Sequence, residues 1–195
     1  MNICVFCSSS TLIAPGHVEL AAEVGREIGR RGHGLVSGGG NISCMGALAR
    51  GARECGAYTV GVIPDALRAR EFADTDAHEL LVVTTMRERK AEMDRRADAF
   101  LTLPGGIGTL EELFEVWTAR TLGMHDRPVV VLDPDGVYRP LRELVDRLVA
   151  GGFVREHAVA ALTWTTSVDE ALDACEAAVR TPDVPAPDEV LEAEP

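Results

Sequence analysis

Short apolar runs alternate along the chain with longer stretches in which apolar residues recur every three or four positions. The runs Asn2–Cys7, His33–Ser37, Tyr58–Ile63, Glu79–Thr84, Asp98–Leu103, Pro128–Leu132 and Ala161–Trp164 read as strands. They are continuously apolar rather than alternating, as strands covered on both faces should be. Between them, Pro15–Arg31, Cys44–Cys55, Met86–Ala97, Thr109–Leu122, Val137–Ala150 and Ser167–Arg180 read as helices. In the first of these, Val18, Ala21, Ala22, Val24, Gly25 and Ile28 form one face. Strand-helix alternation of this length predicts β-α-β units, a mostly parallel sheet and three layers, α/β/α.

Composition narrows the class without changing it. At 195 residues and 46% hydrophobic, the chain suits one domain, placed at residues 1–180. A net charge of -12 argues against a nucleic-acid partner. Five of those charges fall in residues 181–195, with four prolines and no basic residue, which reads as a disordered acidic tail. The first residues lack a basic, apolar leader, and no apolar run approaches the ~20 residues of a membrane span. The chain therefore reads as soluble and cytoplasmic, with no membrane partner.

Five cysteines, an odd number irregularly spaced, read as reduced thiols. Cys4 and Cys7 form a C-x-x-C inside a strand, where such positions face opposite ways. No second pair completes a metal site, and none is expected. The five histidines show no metal-ligand spacing.

In an open parallel sheet, ligands bind at the carboxyl ends of the strands. Three strand ends carry suitable chemistry: Ser8-Ser9-Ser10-Thr11, then Ser37-Gly38-Gly39-Gly40-Asn41 leading to Met45-Gly46, then Pro104-Gly105-Gly106-Ile107-Gly108-Thr109. Glycines there admit a ligand close to the backbone, and the next helix offers free N–H groups to an anion. Neither glycine loop matches a dinucleotide fingerprint or a Walker loop. Thr109 suits a helix N-cap, and Glu112 three residues on would complete a capping box, a role that competes with a catalytic one. Met86-Arg87-Glu88-Arg89-Lys90 sets three cations at a helix start, where the dipole disfavours them. That cluster is either a solvated turn balanced by Glu88 and Glu92, or a ligand-facing group. The placement favours the second.

Taken together, Ser37-Gly38-Gly39-Gly40 with Met45-Gly46, then Met86, Arg89 and Lys90, then P-G-G-x-G-T-x-x-E at 104–112 resemble the LOG (Lonely Guy) family of cytokinin riboside 5′-monophosphate phosphoribohydrolases. The resemblance runs from about Asn2 to Arg180 and implies a Rossmann-like fold. It also implies a homodimer, no cofactor, and cleavage of the N-glycosidic bond of an N6-modified AMP. Carried onto this chain, the family's catalytic residues fall on Arg89 and Glu112. Its phosphate and ribose contacts fall on Lys90 and on Gly105, Gly106, Ile107, Gly108, Thr109, Leu110 and Glu111. Glu71 and Thr118 match further substrate contacts, and Ser9, Gly39, Gly40 and Met86 complete the expected set. Three other readings compete: a broader nucleotide nucleosidase, a non-catalytic nucleotide carrier, and the older lysine decarboxylase label. Lys90, the only lysine, stands in no recognisable context for pyridoxal phosphate.

Overall fold

The computed structural model describes residues 1–69 and 72–177. Its core is a sheet of seven strands, β1 Asn2–Phe6, β2 Gly34–Ser37, β3 Thr59–Pro64, β4 Glu79–Val83, β5 Ala99–Thr102, β6 Val129–Leu132 and β7 Thr163–Thr165. The spatial order is β4-β3-β2-β1-β5-β6-β7, and every pairing is parallel. The expected strands all form, each within about two residues of the boundaries read from the apolar runs.

The pleat divides the core in two. In β1, Ile3 and Val5 face one layer, while Cys4 and Phe6 face the other. β6 repeats the division, with Val130 and Leu132 opposite Val129 and Val131. The first layer holds α1 Pro15–Arg30, α2 Ser43–Glu54 and α7 Val168–Ala177. The second holds α3 Met86–Arg96, α4 Ile107–Thr121 and α5 Arg139–Ala150. Cys4 is buried in the second core and Cys7 packs against the first, so the C-x-x-C does not converge.

Two short elements escaped the periodic reading: a single 3-10 turn at Asp65–Leu67 and the five-residue helix α6, Glu156–Ala160. Neither is long enough to show a period. Among the described residues, the β3–β4 crossover has one 3-10 turn in place of the usual helix. The acidic segment 181–195 lies outside the described residues, as does Glu71.

The strand order places the reversal of winding between β1, which leads outward to β2, β3 and β4, and β5, which leads to β6 and β7. The loops after β1 and β5 part there and leave a crevice at the carboxyl edge.

At the opposite edge, α7 is tied to α1 by charge. Arg31 bonds Asp173 at 2.6 Å and Asp169 at 3.0 Å, and His33 bonds Glu176 at 2.9 Å. The His33 bond, reinforced by Arg31, holds the Glu176 carboxyl below its ordinary value of 4.5. A depressed carboxyl contributes stability that is complete above 4.5 and disappears as pH falls through its folded-state value. Thermal melts should therefore show Tm holding steady above pH 4.5 and falling as pH drops below it, and Arg31→Ala should make that fall shallower.

Candidate active site

Arg89 is the most constrained charged group at the crevice. It lies one turn into α3 and is only 6% exposed. The start of α3 is capped by Thr85, whose hydroxyl accepts from the Glu88 amide at 3.1 Å, while the Glu88 carboxylate accepts from the Thr84 amide at 2.8 Å. Glu88 thus offsets the local positive charge, as the solvated-turn reading has it, but Arg89 turns inward. Its Nε donates to the Val62 carbonyl of β3 at 3.1 Å, and its Nη2 donates to the Gly38 carbonyl after β2 at 3.0 Å. Its Nη1 also lies 3.9 Å from the Met86 sulfur. A Cβ on Gly38 would fall 1.9 Å from Nη2, so the glycine is what admits the guanidinium.

Helix α4 begins earlier than the capping-box pattern implies. Its N-cap is Gly106 and its first turn is Ile107, Gly108 and Thr109, with no side-chain cap. Thr109 is buried inside that turn, and a Cβ on Gly105 would lie 2.2 Å from the Thr109 hydroxyl. The threonine has packed back on the loop rather than capping the helix. Glu112 falls in the second turn, out of place for a capping box, and lines the crevice instead. The first bond of the helix is Leu110 N–H to the Gly106 carbonyl at 3.0 Å. The amides of Ile107, Gly108 and Thr109 therefore have no intrahelical acceptor, and they face the crevice at the positive end of the helix dipole.

That crevice is a cavity of about 400 Å³ lined by the β1 loop, by Gly38 and Met45, by Leu67, by Met86 and Arg89, and by the start of α4 as far as Glu112. A second cavity, of about 500 Å³, opens between α3 and α4 over Phe6, Met93 and Phe100. Glu112, Phe6 and Met93 line both.

Other expected site residues divide by position. Ser9, Met86, Gly106, Ile107, Gly108, Thr109 and Glu111 line the first cavity with Arg89 and Glu112. Lys90 lines the second, where it pairs with Glu111 and, at 2.7 Å, with Glu115. Gly105 supports the loop from below, and Leu110 packs into the core. Gly39 and Gly40 are buried behind Gly38. Thr118 is exposed on α4 and outside both cavities. It stands six residues past Glu112, about 9 Å along the axis. Leu67, Phe6 and Met93 were not anticipated; Met93 sits one helical turn beyond Arg89, the one spacing that could have flagged it.

Tyr138 is another residue the sequence did not flag. Its hydroxyl donates to the Leu103 carbonyl at 3.0 Å and lies 3.3 Å from the Gly105 carbonyl, bracing the loop before α4. Tyr138 is placed in turn by Asp133, which accepts from the Val137 and Tyr138 amides at 2.8 and 3.0 Å. The histidines take structural roles: His78 bonds Thr59, and His125 bonds the Val116 carbonyl and packs on Phe100. Cys7 lines the crevice, but burial pushes its thiol well above the ordinary value, and neighbouring Cys44 and Glu112 add to this. It remains a protonated, unreactive wall.

A family model described as possible lysine decarboxylase matches residues 45–175. A cytokinin riboside 5′-monophosphate phosphoribohydrolase of Mycobacterium tuberculosis (strain ATCC 25618 / H37Rv) is 50% identical over 177 residues, covering 89% of this chain and 92% of that protein. One of Arabidopsis thaliana, LOG4, is 44% identical over 157 residues, covering 80% and 73%. The chain belongs to the LOG family. Its fold is shared more widely. A molybdenum cofactor carrier protein from Chlamydomonas reinhardtii superposes with a TM-score of 0.70 at 21% identity, covering 92% of this chain and 98% of its own. At that identity the likeness concerns the fold alone.

The family model's older label fits this LOG protein poorly. A lysine that forms a Schiff base needs a lowered pKa. Burial pulls the Lys90 ammonium that way, but Glu111 and Glu115 outweigh it and the net shift is upward.

The fit between Gly38 and Arg89 is open to a stability test. Gly38→Ala should cost about 1–3 kcal/mol in denaturant unfolding, because the new methyl displaces the guanidinium. Adding Arg89→Ala should cost less than the sum of the two single changes, since the clash is then gone. Additive losses would mean that the two residues do not share one space.

Proposed function

We propose that this LOG protein hydrolyses the N-glycosidic bond of an N6-modified adenosine 5′-monophosphate to free base and ribose 5-phosphate. The observation that carries the reading is the position of Glu112. It faces the crevice five residues, about 7.5 Å, beyond the first open amide of α4. A nucleotide whose 5′-phosphate rests on the amides of Ile107, Gly108 and Thr109 brings its anomeric carbon toward that carboxylate. Relatives named cytokinin riboside 5′-monophosphate phosphoribohydrolase, at 50% and 44% identity, support the same assignment.

In this reading the phosphate is a handle. The C1′–N bond breaks, water supplies hydroxide to C1′ and a proton to the departing base. The ribose passes through oxocarbenium character, which a carboxylate stabilises. Glu112 provides that charge and orients the water. Arg89, fixed by the Val62 and Gly38 carbonyls at the crevice wall, places its positive charge near the electron-rich base as it leaves. Ser9 and Met86 line the substrate's path. Lys90 and Glu111, at the border of the two cavities, adjust to the bound phosphate and ribose, and the family resemblance assigns a further substrate contact to Glu71.

We further propose that the protein acts as a homodimer in the cytoplasm. Ile107, 88% exposed, and Met86, 44% exposed, present apolar surface beside the crevice, as a partner copy would require. Thr118, outside its own chain's cavities, is then available to the neighbouring copy. The five unpaired thiols suit a reducing compartment.

Incubation with isopentenyladenosine 5′-monophosphate, AMP and isopentenyladenosine, followed by chromatography of released base, tests the reading. Base should appear from the N6-modified monophosphate and not from the riboside, with AMP a poorer substrate. Equal turnover of AMP would replace it with a general nucleotide nucleosidase, and binding without release would make the protein a carrier. Glu112→Gln should lower kcat on the order of 10²–10⁴-fold with Tm unchanged. A fully active Gln variant would remove Glu112 from the chemistry.

A further inference from the structure

A buried ion pair away from the crevice connects to Arg89 through backbone bonds. Asp74, 2% exposed, receives both ends of the Arg53 guanidinium, at 2.7 and 3.2 Å. Arg53 sits in the last turn of α2 and Asp74 in the β3–β4 crossover. Among the described residues, that crossover has no packed helix to hold it over the sheet, and a few discrete contacts do so instead. The Arg53 fork is one of them. The His78–Thr59 bonds are another, and three more fall on the glycine turn after β2. The Asp74 amide donates to the Gly39 carbonyl at 2.8 Å, Gly40 forms an antiparallel bridge with Ala73, and the Asn41 amide donates to the Phe72 carbonyl at 2.8 Å.

Each of these bonds acts in both directions. They hold the crossover on the turn, and they fix the turn, in which Gly39 has φ +73. The carbonyl next to Gly39 is that of Gly38, on which the Arg89 guanidinium hangs. A tilt of the Gly38–Gly39 peptide carries Arg89 with it. Phe72, two residues before Asp74, is a non-glycine residue at φ +48, so the crossover is held in a conformation that its own sequence does not favour. Leu67, earlier in the same crossover, lines the crevice.

We infer that the Arg53–Asp74 pair is a positioning device for the reaction. It clamps the β3–β4 crossover onto the Gly38–Gly40 turn and so fixes where Arg89 stands. Neither residue touches the crevice. The kinetic side of this inference rests on the function proposed above, whereas the geometric side does not.

The geometric side is read from the protein alone. The Arg89 Nε–H, bonded to the Val62 carbonyl, should give a slowly exchanging side-chain NMR signal, assigned by its loss in Arg89→Lys. In Asp74→Asn, which keeps the shape and removes the charge, that signal should shift and exchange faster. kcat on the N6-modified monophosphate should fall on the order of 10- to 100-fold, with KM changed less than about 3-fold, the behaviour of a displaced catalytic group. Asp74→Glu should recover part of both. If Asp74→Asn does not fold, the double variant Arg53→Met/Asp74→Leu replaces the pair with apolar groups, which buried pairs often tolerate. It too should show the displaced Arg89 signal. An unmoved signal with only a lower Tm, in either variant, would reduce the pair to a strut and overturn the inference. If the wild-type protein releases no base from any monophosphate, the functional reading falls, and the NMR comparison still decides this one.

Discussion

A guanidinium that is nearly out of water must be given acceptors, and the arrangement of the crevice follows from how Arg89 obtains them. It has hydrogen bonds to the carbonyls of Val62 and Gly38, which belong to two neighbouring strand ends. Adjacent parallel strands lie side by side, so the Gly38 carbonyl just past β2 and the Val62 carbonyl level with it in β3 form a ready pair of acceptors. The residue that supplies one of them can carry no side chain, because the guanidinium occupies its place. Helix α3 must then start so that its fourth residue points under the edge, and the Thr85 cap with Glu88 fixes that start. Two backbone carbonyls thus hold a charged group in a fixed place at the wall of the crevice.

The second half of the site is built on the opposite principle. The start of α4 has no side-chain cap, and the three amides that a cap would satisfy face open space. Burying Thr109 against Gly105 draws the first turn down onto the loop, and the Tyr138 hydroxyl steadies that loop from behind. One side of the crevice therefore satisfies its polar groups internally, and the other leaves them for a ligand. Glu112 stands between, on the wall that the two cavities share.

Much of this was legible in the sequence, for physical reasons. Strands covered on both faces are written as unbroken apolar runs, so β1, β5 and β6 announced themselves and with them the edge where ligands bind. The Gly105–Gly108 loop and the misplaced cations before Lys90 could be read because each departs from what a plain turn or helix start prefers. What could not be read depended on contacts across long stretches of chain. Thr109 looked like a cap because its type favours caps, and only the close approach of Gly105 shows why it is not one. Tyr138 braces a carbonyl 35 residues away, and Arg53 meets Asp74 across 21, with no local pattern to mark either. The short helix α6 spans too few residues to carry a period.

The pairing of Lys90 with Glu111 and Glu115 has a consequence for how a ligand arrives. An ammonium flanked by two carboxylates projects little positive field, and the protein around it carries a net charge of -12. A dianionic phosphate is therefore not drawn in from a distance. Under the proposed function it meets the crevice without electrostatic assistance and is recognised only within hydrogen-bonding range of the α4 amides. Encounter should accordingly be slow compared with electrostatically steered enzymes, and added salt should speed it by screening the like-charge repulsion. Discrimination then belongs to the fit inside the crevice and not to the approach.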